Sequence, residues 1–185
     1  MKFSKYYDLE GKHAFLSPSK GSWVNYDLDK LEATFSKHMA VQRGVALHEL
    51  ACDAIRLGVR LHKTKQTVNL FVNDAISFRM EPEQILFYSE NCFGTADAIC
   101  FRDDILRIHD LKTGSTTASM TQLKIYAALF CLEYKMKPKK INIELRLYQS
   151  NDIVVCVPES EEIMYISDKI VAFDKRIKEI QSLDI

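Results

Sequence analysis

The stretch that decides the fold is Cys92-Phe93-Gly94-Thr95-Ala96-Asp97-Ala98-Ile99-Cys100-Phe101, then Arg102-Asp103-Asp104, then Ile105-Leu106-Arg107-Ile108-His109-Asp110-Leu111-Lys112. Its two apolar runs are rich in β-formers and separated by turn residues, so they read as consecutive strands, Cys92 to Phe101 and Ile105 to Lys112. If Asp103-Asp104 is a two-residue hairpin loop, Arg102 faces Ile105, and stepping back pairs Asp97 with Asp110. Aspartate tolerates the positive φ that such a loop needs. A three-residue loop would leave the two acids as diagonal neighbours. Side chains alternate along a strand, which puts Asp110 and Lys112 on one face with Leu106 and Ile108. The same alternation places Phe93, Thr95, Asp97, Ile99 and Phe101 together on the preceding strand. Either register brings two carboxylates close on a mostly apolar face. Opposed like charges destabilise a strand pair, so such acids must protonate, find a partner or bind a cation.

Outward from this hairpin the period changes. Upstream, Ile85 to Tyr88 reads as a further strand. Downstream, Thr113-Gly114-Ser115-Thr116 is a turn, Ala118 to Tyr134 a helix, and Ile141 to Gln149 with Ile153 to Val157 a hairpin around Ser150-Asn151-Asp152. Glu159 to Leu183 closes the chain as a helix. Before the strands, Ser17-Pro18-Ser19-Lys20 is a turn or helix start. Asp27 is placed to cap a helix over Leu28 to His38, Val41 to Leu61 is an amphipathic helix, and about Gln66 to Met80 a further one. The reading is one domain over residues 1–185 with a mixed α/β architecture, a small mixed sheet flanked by helices. A helical part covers about 1–80, a sheet with its helix 81–158, and a closing helix 159–185.

Composition narrows the function classes. A chain of 185 residues is long enough for one real core and too short to favour two. Its formal net charge is zero, which does not announce nucleic-acid binding; bound cations at a phosphate site would supply positive charge locally. The five cysteines, Cys52, Cys92, Cys100, Cys131 and Cys156, lie in apolar runs without a Cys-x-x-Cys spacing. That argues against a disulfide framework or zinc site and fits a reducing cytoplasm. No apolar stretch is long enough to span a membrane, and no signal peptide is visible.

The acids carry the chemistry. A hard divalent cation satisfies two carboxylates through oxygen ligands, and the main-chain carbonyl of Leu111 is a further ligand candidate. A cation there makes bound water a better nucleophile and stabilises charge on phosphate oxygens. Lys112, beside two acids, stays charged and takes an electrostatic role. The plain alternative pairs Asp97 and Asp110 with Lys112 and Arg107 as ordinary ion pairs. His48 falls on the apolar stripe of its helix, as ligand or as core histidine, whereas Glu49 falls on the polar side. His109 alternates to the face opposite Asp110. Gln122 and Tyr126 are neighbours at i and i+4, in reach of Lys112 or of a substrate phosphate or base.

Gly94-Thr95-Ala96-Asp97, Asp110-Leu111-Lys112-Thr113-Gly114 and Gln122-Leu123-Lys124-Ile125-Tyr126-Ala127 resemble the signature of the PD-(D/E)XK nuclease superfamily, in its branch of RecB nuclease domains, Cas4 proteins and phage-type exonucleases. Arg43-Gly44-Val45-Ala46-Leu47-His48 is similar to that branch's upstream histidine motif, and His13-Ala14-Phe15-Leu16-Ser17-Pro18-Ser19-Lys20 to the opening of phage-encoded members. The resemblance implies a restriction-endonuclease-like core and Mg²⁺- or Mn²⁺-dependent DNA cleavage. By that resemblance His48, Asp97, Asp110 and the Leu111 carbonyl would hold metal. Lys112 would be catalytic, with Gln122 and Tyr126 supporting the site or contacting DNA. The second acid is Asp110 where many members carry Glu. Cas4-type iron–sulfur clusters use cysteines near both ends of the domain; this chain has none before Cys52 or after Cys156, so no cluster is expected.

The expected function is a metal-dependent deoxyribonuclease, a phage or prophage exonuclease of recombination, replication or repair acting in a bacterial cytoplasm. The expected partners are DNA, as single strands or duplex ends, and either further copies of the chain or a recombination or replication protein. The alternative is a DNA-binding subunit that keeps the fold without cutting. Lys135, Lys137, Lys139 and Lys140, with Lys20, Lys37, Arg43 and Lys124, are candidate phosphate contacts, and Trp23 and Tyr26 candidate base-stacking groups.

Overall fold

The computed structural model describes residues 4–114 and 118–183. The expected turn residues Ser115 and Thr116 lie outside them. The chain divides into two compact units, Met1–Arg43 and Gly44–Ile185.

The first unit holds 3₁₀ turns at Tyr7–Leu9 and Pro18–Asn25 and the start of helix α1, Leu28–Leu57. Asp27 caps α1 as its sequence position predicts, its Oδ1 accepting the Lys30 N–H at 2.7 Å. The two helices expected over 28–61 are one. The helix stops at Gly58, whose φ of +66° ends it with paired bonds, Gly58 N–H to the Ile55 carbonyl and Val59 N–H to the Ala54 carbonyl.

In the second unit, α2 (Thr67–Ser77) precedes β1 (Glu81–Ser89), β2 (Cys92–Arg102) and β3 (Ile105–Leu111). Then come α3 (Thr121–Glu133), β4 (Asn142–Gln149), β5 (Asp152–Cys156) and α4 (Ser160–Leu183). The five strands form one sheet in the order β1-β2-β3-β4-β5. All neighbours are antiparallel except β3 and β4, which α3 joins as a parallel crossover. This is the mixed α/β fold with a small mixed sheet that the sequence predicts.

Helices α2 and α3 pack on β3 and β4 from two separate cores. Leu123, Ala127 and Phe130 of α3 join Leu106, Ile108 and Leu145. Phe71, Val72 and Ala75 of α2 join Ala98, Leu111 and Tyr148, together with Ala51 and Ile55 of α1. Helix α4 packs against α3. Its Asp174 is buried and accepts from Ser89 Oγ at 2.6 Å and Asn91 Nδ2 at 3.1 Å, tying the helix to the β1–β2 turn. The apolar stripe of α1 is buried only from Ala51; Val41, Val45, Leu47 and Leu50 are exposed. Among the described residues no helix is long and apolar enough to cross a membrane.

Candidate active site

The turn chemistry sets the register. Asp103 and Asp104 have φ of 51° and 57°, the left-handed pair of a two-residue hairpin loop, and Arg102 pairs with Ile105. The ladder runs back to Ala98 opposite His109 and stops one step short of Asp97 and Asp110. At that step the Leu111 N–H bonds the Asp97 carboxylate, donating to Oδ2 at 2.8 Å.

Simple alternation fails at this point. Ala96 and Ile99 both pack with α3, whereas Ala98 and Cys100 pack with α2. The strand therefore changes phase around Asp97. On β1, Pro82 pairs with Ala98 and Gln84 with Ala96, but Glu83 is skipped and adopts φ of 52°. The register is the same on either side, so one residue on each strand, Glu83 and Asp97, stands outside the ladder without a bulge. Arg56 of α1 holds Glu83 at 3.1 Å.

Asp110 is almost fully buried, with 1 % of its surface exposed. Lys112 Nζ lies 3.0 Å from Oδ1, to which it donates, and 2.9 Å from Oδ2. Despite that proximity Oδ2 accepts no hydrogen bond. Lys112 also donates to Gln122 Oε1 at 2.9 Å, and Gln122 Nε2 donates to Tyr126 Oη at 3.2 Å. Asp110, Lys112, Gln122 and Tyr126 thus form one unbroken polar chain from the buried end of β3 to α3. The tyrosine ring reaches it because position 94 is glycine: a Cβ there would lie 2.9 Å from Tyr126 Cε1.

Asp97 is more open. Burial raises its carboxyl above the ordinary aspartate value and the Asp110 charge adds to that; the Leu111 N–H, His48 and Lys112 pull the other way. His48 Nδ1 stands 3.6 Å from Asp97 Oδ2, an ion-pair distance rather than a hydrogen bond. Nearby, α1 meets the loop after β3 at Gly44, where a Cβ would lie 2.7 Å from Thr113 Oγ1. Glycine inside a helix costs about 1 kcal/mol, and the close approach is its local reason.

A cleft of about 920 Å³ opens beside Lys112. Leu47 and Leu50 of α1 form one wall, Arg60, His62 and Thr67 another, and Gly114 and Asn151 close the end. Leu47 and Leu50 are therefore exposed towards this cleft.

Some expected partners lie elsewhere. Arg107 faces Glu144 at 3.4 Å rather than the acids. Lys124 and Lys139 are paired with Glu162 and Glu161 of α4, at 2.9 and 3.0 Å. Sequence reading also misses a partly buried polar network around His109. Tyr148 Oη donates to Asp74 Oδ2 at 2.8 Å and stands 3.2 Å from His109 Nδ1, while Arg146 bridges Asp74 and Glu144. Arg107 and Arg146 each lie 4.8 Å from the Phe78 ring centre. Burial, with the charges of Arg146 and Arg107, lowers His109 to about 3, so its imidazole is neutral. The only hint in the sequence was the alternation that set His109 opposite Asp110.

Among the described residues, His, Cys, Asp and Glu side chains form no ready three-donor metal cage. The donor types at this point are nonetheless those of a hard divalent cation: two carboxylates, one with a buried oxygen that accepts no hydrogen bond, beside an imidazole.

A family described as a protein of unknown function (DUF2800) matches residues 79–151, the span from the end of α2 through the β4–β5 turn. No curated protein and no solved structure matches the chain.

Proposed function

We propose that the chain is a metal-dependent deoxyribonuclease of the PD-(D/E)XK type, a phage-type exonuclease of recombination, replication or repair. The observation that carries this reading is the polar chain Asp110–Lys112–Gln122–Tyr126 with Asp97 beside it. A lysine needed only to neutralise a strand-end acid would require neither Gln122 nor Tyr126. Here it is held from two sides at the mouth of a cleft.

Asp97, Asp110, His48 and the Leu111 carbonyl would hold Mg²⁺ or Mn²⁺. When bound, the ion would activate water and offset charge on the scissile phosphate. Gln122 keeps the Lys112 ammonium in place, and Lys112 faces the negative charge that develops on phosphate during cleavage. Tyr126 fixes the Gln122 amide, so the lysine is pre-positioned from α3. The cleft would admit a strand end, with Arg60 and Lys112 as its cationic contacts.

The test is incubation of end-labelled single- and double-stranded DNA with Mg²⁺ or Mn²⁺, comparing the wild type with Lys112→Ala and Asp110→Asn. The expected result is shortened products that disappear with chelator and fall by at least about 10²-fold in both variants. Equal cleavage by Lys112→Ala and wild type overturns the mechanism. DNA binding with no products under any cation replaces it with the reading of a non-cleaving subunit.

A further inference from the structure

The first unit contains a cavity of its own, about 370 Å³, whose lining includes His13, Phe15, Lys20, Trp23, Tyr26 and His38. We infer that this cavity is a binding site for an unpaired nucleobase of single-stranded DNA, distinct from the acids on β2 and β3.

Its rings are held by local geometry. The Trp23 indole N–H donates to the Ser17 carbonyl at 2.9 Å, which fixes the ring edge. The Tyr26 N–H closes a turn on the Trp23 carbonyl at 3.1 Å, keeping the two aromatics on adjacent positions of the same wall. Phe15 packs against His38 at 5.3 Å and edge-on to Phe35 at 5.0 Å, forming another side. Among the described residues Trp23 stacks on no other ring, although it is only partly exposed.

Charge selects the ligand. Among the described residues no carboxylate lines the cavity; its ionisable side chains are Lys20, His13, His38 and Tyr26. Lys30 adds an ammonium 5.0 Å from the Tyr26 ring centre, and Asp27, the nearest acid in sequence, is engaged as the cap of α1. An aromatic cage for a cationic ligand works by attraction to ring faces, which two lysines oppose here. A flat aromatic ligand that carries an anion meets both features: rings to stack on and cations for its phosphate. The cavity size lies within the range of small-ligand pockets, enough for a base and not for a duplex. A base inside a duplex is already stacked, so the chemistry favours single strands.

Trp23 is the only tryptophan in the chain, so its fluorescence reports this cavity directly. The experiment titrates the full-length protein with a short oligothymidylate in chelator, which prevents cleavage. The expected result is saturable quenching. It should weaken at least about fivefold in Tyr26→Ala, as loss of one stacked base predicts, and stay within about twofold in Tyr26→Phe, which keeps the ring. Lys20→Ala should shallow the salt dependence of binding. Quenching is read in chelator and cleavage with Mg²⁺ or Mn²⁺, which separates this site from the cleavage reading: quenching without cleavage leaves it standing. Equal quenching by a base-free polyanion, tighter binding of duplex than of single strand, or unchanged binding in Tyr26→Ala overturns it.

Discussion

His109 and Asp110 are consecutive residues on one strand, both essentially without solvent contact, yet their surroundings have opposite character. On the α2 side, His109 Nδ1 faces Tyr148 in a polar network with Asp74, Arg146 and Glu144, its Nε2 has no hydrogen-bond partner, and its imidazole is kept neutral. On the α3 side, Asp110 meets one lysine, leaves Oδ2 without a hydrogen bond, and opens through Lys112 onto the cleft. The difference shows that burial alone does not mark a functional group. A polar network away from the cleft stabilises one packing arrangement, whereas a buried acid whose partner lines a cleft is suited to chemistry.

The largest expected effect separates the two sides outright. Asp110→Asn, which keeps the side chain's size and removes its charge, should reduce cleavage by about 10²–10³-fold with little loss of folding stability. Denaturant midpoints measured beside cleavage rates check this; parallel loss of both would erase the contrast. Next, Asp74→Ala removes the acceptor shared by Tyr148 and Arg146 and should cost about 3 kcal/mol, while the rate per folded molecule holds. Tyr148→Phe keeps the ring and should cost about 1–2 kcal/mol in the same unfolding assay. Gly94→Ala bridges the two readouts. The added methyl pushes on the Tyr126 ring, so destabilisation of about 1–2 kcal/mol should accompany a fall in cleavage. An unchanged rate would detach Tyr126 from the site.

Acid sharpens the comparison with the most graded effect. His109 falls from 6.5 to about 3 in the fold, so the unfolded chain takes up its proton first. Its stabilisation is complete above 6.5 and lost as pH drops towards 3, at no more than about 1.4 kcal/mol per pH unit. Asp174 behaves as a depressed acid: hydrogen bonds from Lys178, then Ser89, lower it from 3.8 to about 2. Its contribution is intact above 3.8 and lost only between there and about 2. Urea midpoints against pH should therefore lose their upper window in His109→Leu and their lower one in Asp174→Asn.

Much of the fold was legible because its signals are local. Asp103-Asp104 permits positive φ at both loop positions, and that loop dictates the β2–β3 register. Gln122 and Tyr126 meet because i and i+4 always do on a helix. The end of α1 was not read: the expected helix runs on to Leu61, whereas Gly58, with φ of +66°, stops it after Leu57. By contrast, α2 and α3 finish with Arg79 and Lys135 in the same left-handed conformation, φ 51° and 54°. Neither residue type signals it, and only the packing that ends each helix imposes it.

What the sequence determined by itself, then, is the order of elements, the hairpin register and the set Asp97, Asp110, Lys112, Gln122 and Tyr126, all within one segment. Tertiary structure decided the rest. The β1–β2 ladder leaves out Glu83, in a left-handed conformation, and Asp97, Gly94 makes room for the Tyr126 ring, and Asp74 meets Tyr148 across a separation of 74 residues. The physical reason is range. Turn and helix geometry is fixed by neighbouring backbone torsions, whereas the bearing of a carboxylate depends on what packs against its strand from distant parts of the chain.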